Sequence, residues 1–443
     1  MSGIEHEHLT REMLEKYFET TPIDQVSRML LHLLAVCPEC RKVGGTIFAA
    51  YTAGAIGIRF SSVEVDLFAS RSMAWDLWKT LESLSFEEQL RLVEEREEYR
   101  SWGLVELLAR VSSAAGPKDA SRAVDLASLA VEVAKRLGEW QPCEKEWLFE
   151  LRAYAFAHLA SAYRISGNMR EAEKAQRRAD GWWKEGAESM GDILGYEPEI
   201  LSLKASLRKD QRRFEEALAL LDQVVGIYLA GDPETQDFHL AGRTFVLKAK
   251  TFEEMGNLEE ALAVLREASP LIDPERDPRL LLCAQHNLLD YLSKLGRPDE
   301  AKAMLPRVWK LSRDLGNELD IVRLTWTEGL VSAELAENER AVALLLSARD
   351  EFVARGMGYD AALVSLNLAL MYVKEGRMAA VAELAQEMIS IFEAQDIHRE
   401  ALAALAVFNQ AALHERASVE LVQRVTRYLE AARGNPKLKF ERE

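Results

Sequence analysis

GNLEEA, residues 256–261, is one member of a set. GNMREA (167–172), QRRFEEA (211–217), GRPDEA (296–301) and AENERA (336–341) share its build, and GRMAAV (376–381) continues the series. Each follows one amphipathic stretch of helical period and opens another. Their last residues, Ala172, Ala217, Ala261, Ala301, Ala341 and Val381, lie 45, 44, 40, 40 and 40 residues apart. A turn recurring at such a period marks a repeat architecture. The glycine at the start of four of these segments suits the left-handed backbone that ends a helix, where a Cβ is costly.

Further positions recur around these marker residues. Twelve residues before them stand Ala160, Ala205, Ala249, Leu289, Gly329 and Ala369, five of the six being small. Small side chains there let the two helices of one repeat approach closely. Nine residues before come Tyr163, Arg208, Phe252, Leu292, Ser332 and Tyr372, with Arg208 and Ser332 off the apolar pattern. Four residues after come Gln176, Leu221, Leu265, Leu305, Leu345 and Ala385, suited to filling the space between neighbouring units. On these residues the chain resembles the tetratricopeptide repeat (TPR) proteins, with units longer than the usual 34 residues or so. Residues 101–137 read as a further helix pair upstream, with Pro117 opening its second helix, and residues 398–433 as a last pair stopped by Gly434-Asn435-Pro436. The resemblance implies an all-α fold, a right-handed TPR-like solenoid of seven or eight helical hairpins, each burying its apolar face on its neighbours.

Composition agrees. Of 443 residues, 48% are apolar and 29% charged, and the scarcity of glycine, proline and β-branched residues favours helix. The formal net charge of -17 argues against broad nucleic-acid or anionic-membrane binding, so neither is expected. No run of about 18 apolar residues is present and the first residues lack a secretory pattern, so a cytoplasmic protein is expected. Four cysteines are too few for a disulfide scaffold of this length.

The TPR resemblance also implies which residues face a ligand: those 18, 15, 11 and 8 positions before each marker, on the first helix of each repeat. They include Tyr154, Ser161, Arg164, Ser202, Lys209, Arg243, Lys250, His286, Asp290, Arg323 and Trp326. Five cations in an acidic protein suit an acidic peptide or a C-terminal carboxylate; the alternative is solvated charge on long helices. In the last full repeat the same rows read Leu363, Leu366, Leu370 and Val373, an apolar patch expected to lie under the C-terminal helices.

The amino-terminal residues differ in character. HLLAVCPECR (32–41) places a histidine before a CxxC pair. Here the chain resembles the zinc-binding anti-sigma-factor fold of bacterial regulators that sequester sigma factors. That resemblance implies one structural Zn²⁺ held by His8, His32, Cys37 and Cys40, with His6 an alternative to His8, stapling three short helices together. The spacer between His32 and Cys37 is four residues where the family has three. An extra residue turns His32 by about 100° on a continuous helix, so ligation needs the helix to end first. A metal-free module with two buried thiols is the competing reading. The expected organisation is thus a small zinc-finger-like module at 1–45, a helical bridge at 46–100, the solenoid at 101–434 and a tail at 435–443.

Catalytic motifs are missing: no HExxH, phosphate-binding loop or GxSxG is found. Ser206 and Lys209 form an SxxK without companions, and Cys143 and His158 show no sign of an activated thiolate. The expected function is therefore that of a non-enzymatic bacterial scaffold or regulator binding a partner protein or peptide. The alternative is an anti-sigma regulator holding a sigma factor through residues 1–45.

Overall fold

The computed structural model describes residues 62–138, 145–190, 195–231, 236–394, 399–434 and 438–440. Among them are eighteen α-helices. They group into two compact units, divided between Met255 and Gly256; the expected boundary near residue 45 lies outside the described residues.

The first unit contains α1 (Ser62–Leu81), α2 (Phe86–Glu95), α3 (Trp102–Ala115), α4 (Ala120–Arg136), α5 (Lys145–Ile165), α6 (Met169–Met190), α7 (Glu197–Asp210), α8 (Phe214–Tyr228) and α9 (Phe238–Met255). Helices α3 and α4, α5 and α6, and α7 and α8 pack as hairpins. Successive hairpins stack through α4 on α5 and through α5 on α7. The stretch read as a bridge packs on this stack, α1 against α3 and α2 against α4. Local chemistry sets several boundaries. Ser85 and Glu88 form a capping box at the start of α2, each satisfying a backbone N–H of the other's residue. Pro117 does not open α4 as expected; it lies in the preceding turn, and Asp119 caps the helix by accepting from the Arg122 N–H.

The second unit contains α10 (Leu258–Ala268), α11 (Pro278–Lys294), α12 (Pro298–Leu315), α13 (Glu318–Glu334), α14 (Asn338–Ala354), α15 (Gly358–Lys374), α16 (Met378–Ala394), α17 (Arg399–Leu413) and α18 (Val419–Gly434). Helices α11 to α16 make three hairpins stacked in order. The repeat reading holds in detail here and in the first unit. All six marker residues, from Ala172 to Val381, are fully buried, and the six positions four residues after them are buried too. Five residues before each marker the backbone is left-handed: Gly167, Arg212, Gly256, Gly296, Ala336 and Gly376 have φ between 58° and 85°. In five of these turns the next residue's N–H bonds back to the carbonyl nine before the marker, as in Asn168 to Tyr163 and Arg377 to Tyr372 at 2.9 Å. That bond closes the helix end and satisfies an otherwise orphaned carbonyl.

The small-residue row has a geometric cause. A Cβ on Gly329 would lie 2.9 Å from Leu345 Cδ2 and 3.0 Å from its Cγ, so α13 and α14 touch through that glycine. Arg208, a poor fit to its apolar row, is buried and paired instead: Nη1 donates to Glu173 Oε2 at 2.6 Å and to Gln211 Oε1 at 2.9 Å. The row thus tolerates a cation because α6 supplies a carboxylate to meet it. No helix among the described residues is long and apolar enough to cross a membrane.

Candidate partner-binding faces

Within the first unit, the odd-numbered helices α3, α5, α7 and α9 bring polar side chains together in two places. The deeper one is a buried network. Arg71 of α1 makes a bidentate pair with Glu106 of α3, at 2.8 and 2.9 Å. Trp102 Nε1 donates to Glu106 Oε1 at 3.2 Å and to Tyr196 Oη at 3.0 Å, and the Tyr196 hydroxyl donates in turn to Glu106 Oε1. Burial alone would lower the Arg71 pKa, but the Glu106 carboxylate more than offsets it and raises it. Burial, with the same carboxylate, pushes the Tyr196 phenol well up. With its hydrogen bonds made and its charge matched, this cluster fastens α1, α3 and the start of α7 to one another.

The shallower cluster is open to solvent on one side. Tyr154 and His158 of α5 have ring centroids 4.4 Å apart, and Tyr154 stacks on Tyr196 at 4.5 Å. Ser113 Oγ lies 3.0 Å from His158 Nδ1, and His158 Nε2 lies 3.2 Å from Glu199 Oε1. Glu199 of α7 keeps 46% of its side chain exposed. Partial desolvation would raise its pKa, yet His158, Arg110 and Arg243 more than offset that and hold it at about 2. Burial likewise pushes the Tyr154 phenol up, with the Glu199 charge adding to it. Ser113, His158 and Glu199 stand in the order of a nucleophilic relay. However, Ser113 Oγ also donates to the Ala109 carbonyl, within a helix whose interior N–H groups serve its own ladder. The set is thus a charged cluster partly open to solvent, with the Ser113 hydroxyl tied to its own helix.

The residues expected to face a ligand are not all available to one. Tyr154 and Ser161 are buried, and Tyr154 is core. Arg164 and Lys209 are spent on neighbouring repeats: Arg164 pairs with Asp210 at 2.7 Å, and Lys209 with Glu254 at 2.5 Å and Asp210 at 3.2 Å. Lys250 is exposed and pairs with Glu253 one turn on, at 2.6 Å. Ser202 donates to the Pro198 carbonyl of its own helix. Arg243 is exposed beside the Glu199 cluster. The SxxK pair is likewise committed, since Ser206 Oγ donates to the Ser202 carbonyl while Lys209 meets its two carboxylates.

In the second unit the corresponding positions form rungs between successive odd helices. His286 Nε2 of α11 lies 3.2 Å from Thr327 Oγ1 of α13, and Trp326 Nε1 of α13 donates to Asn367 Oδ1 of α15 at 2.8 Å. Trp326 also meets Phe352 edge-on at 5.8 Å. Burial lowers the His286 pKa, against the raising effect of Asp290. Asp290 itself pairs with Lys294 at 2.8 Å. Arg323 is half-buried one turn before Trp326. The apolar end of these rows is covered as expected: Leu363 and Leu366 are buried, and α18 packs on α15.

Sequence reasoning missed Arg110, Ser113, His158 and Glu199 as a group. Glu199 stands in the row 18 before its marker, so the period alone could have found it. Ser113 and His158 come together only through the packing of α3 on α5. The expected zinc ligands His8, His32, Cys37 and Cys40 lie outside the described residues. Among the described residues, no group of three or more His, Cys, Asp or Glu is placed to hold a metal ion.

Helical hairpins at a period of about forty residues, with small buried contacts inside each pair and left-handed turns closing each first helix, define a TPR-like repeat protein. No protein-family model matches the chain, and no curated protein is similar to it. Among solved structures it is similar to a Rap protein complexed with competence and sporulation factor, at 13% identity over 87% of this chain and 99% of that one, with a TM-score of 0.49. It is also similar to aspartyl phosphate phosphatase F from Bacillus subtilis, at 15% identity over 88% and 96% of the two chains and a TM-score of 0.46. A third is BtubC from P. vanneervenii, at 21% identity over 54% and 92%, with a TM-score of 0.44. These likenesses are weak, and no residue role passes from those proteins to this one.

Proposed function

We propose that this chain is a non-enzymatic interaction protein that takes a partner protein or peptide on the faces its odd-numbered helices present. One observation carries the reading. Arg110, His158 and Arg243, from α3, α5 and α9, act on one partly exposed carboxylate, Glu199 of α7, so the cluster draws on four different helices. No single helix makes this cluster; stacking creates it. Arg164 and Lys209 are matched by carboxylates of the fold, whereas Arg243 is an exposed cation beside the Glu199 carboxylate. Such an alternation of fixed charges suits a polar or acidic peptide segment more than a lone anion, because Glu199 repels an anion that Arg243 attracts.

The test is charge reversal. Arg243→Glu together with Lys250→Glu should abolish partner binding by the full chain while its circular dichroism stays that of the folded protein and its thermal unfolding stays cooperative. Binding that survives the double variant and disappears on deletion of residues 1–45 would instead support sigma-factor sequestration through the amino-terminal residues. A structural Zn²⁺ on His8, His32, Cys37 and Cys40 is a separate proposal resting on sequence alone. It requires one zinc per chain by metal analysis, lost in Cys37→Ser.

A further inference from the structure

The last helix does not follow the pairing rule of the others. In the hairpins α3 to α8 and α11 to α16, the second helix packs chiefly on its own first helix or on the next one in the stack. Helix α18 packs more extensively across α15, a helix of the preceding repeat, than on its hairpin partner α17. Leu363 and Leu366 of α15 are buried in the same apolar cluster as α18, and they stand in the rows where α13 carries Arg323 and Trp326 and α11 carries Cys283 and His286. Helix α18 is amphipathic in the sense this requires. Val422, Val425, Leu429 and Ala432, spaced three, four and three residues, are buried. Glu420, Gln423, Arg427 and Glu430 on the other side are exposed. The chain then folds back on the helix: the Tyr428 hydroxyl donates to the Leu438 carbonyl at 3.1 Å, and Phe440 meets Tyr428 edge-on at 5.0 Å. The link to α17 is an exposed turn, His414–Arg416, in which Glu415 takes the left-handed backbone at φ 54°.

We infer that α18 with residues 438–440 is a built-in occupant of a helix-binding groove on α15, displaceable by a partner's amphipathic helix with the same three-four-three aliphatic spacing. A helix laid by its apolar stripe across a repeat's ligand-facing rows is a recurrent mode of peptide recognition, and here the chain supplies the helix itself. Trp326, Leu330 and Ala333 of α13, half-buried, pack against the same apolar cluster that Leu363, Leu366 and α18 share. Occupancy by α18 rests on this chain's own packing. Displacement by a partner rests on reading these faces as partner-binding.

The experiment separates the two by using no partner. A protease site replaces Glu415-Arg416 in the full chain, so that cleavage frees α18 without altering any buried side chain. A fluorescent synthetic peptide of sequence 419–440 is then titrated. Before cleavage the tether keeps α18 at an effective concentration of roughly millimolar, so the peptide binds at least about tenfold more weakly than after it. After cleavage it should exchange in at one per chain, reversibly against unlabelled peptide, with the cut protein remaining folded by circular dichroism. The same peptide with Val425→Asp and Leu429→Asp should not bind. If cut and uncut chains bind alike, if the cut chain refuses the peptide, or if it unfolds once α18 is released, the helix is plain core and the inference fails. Peptide exchange alongside failed charge-reversal tests would leave this inference standing and remove only the proposed function.

Discussion

At the scale of single residues, the charges of this protein are settled mostly within the fold. Arg71 and Glu106 are both nearly inaccessible, and their pairing is tolerable only because Trp102 and Tyr196 complete the hydrogen bonding of the carboxylate. Glu106→Gln leaves the buried guanidinium without its counter-charge and should cost about 3–5 kcal/mol in urea unfolding. Glu199 responds differently because it is half-open. An unfolded glutamate titrates near 4.3 or so, whereas the folded one is held at about 2. A depressed carboxyl pKa stabilises the fold above the unfolded value, and that stabilisation is lost as pH falls through the folded value. Glu199→Gln should therefore destabilise the protein at neutral pH, and the gap to wild type should close between pH 4.5 or so and about 2. A gap that is independent of pH would show that His158, Arg110 and Arg243 do not act on this carboxylate. For His286 the pH dependence runs the same way for a different reason: burial favours the neutral ring and lowers its pKa, so stability is kept at higher pH and lost on acidification below about 6.5.

At the scale of helices, close approach governs what can change. A Cβ on Gly103 of α3 would lie 2.5 Å from Arg71 Cα and 2.7 Å from Arg71 N, backbone atoms of α1 that cannot step aside. Gly103→Ala should force the two helices apart at about 1–3 kcal/mol or more, by thermal unfolding. Gly167→Ala meets nothing within 4 Å and should cost only the left-handed backbone, roughly 1–2 kcal/mol. Equal costs at the two sites would mean that α1 is not seated on α3 as described. This contrast also shows what was legible beforehand. The left-handed turn at Gly167 belongs to the repeat period and is visible in the letters GN. The contact at Gly103 joins two helices outside the period and is visible only once they pack. Arg208 sits in an apolar row, and its sense appears only when Glu173 arrives from α6. For the same reason Arg164 and Lys209, which a one-dimensional reading offers to a ligand, turn out to link repeats. Their acidic partners lie 46 and 45 residues away, in the next first helix.

At the scale of the molecule, a repeat protein spreads its stability along nearest-neighbour contacts and leaves the identity of its ligand to the faces of its helices. Here those faces differ between the two units: a charged cluster around Glu199 in one, and in the other a row running from His286 through Trp326 to an aliphatic end under α18. The most direct test of the central claim is in-cell photo-crosslinking, with a photoreactive amino acid at position 243 or 250 and, as outward controls, at exposed positions 215 and 216 of α8. The account predicts that one discrete partner is captured from 243 and 250, is not captured from 215 or 216, and is lost from 250 when Arg243 is changed to Glu. Equal capture from both sets of positions, or capture from α8 alone, would contradict it.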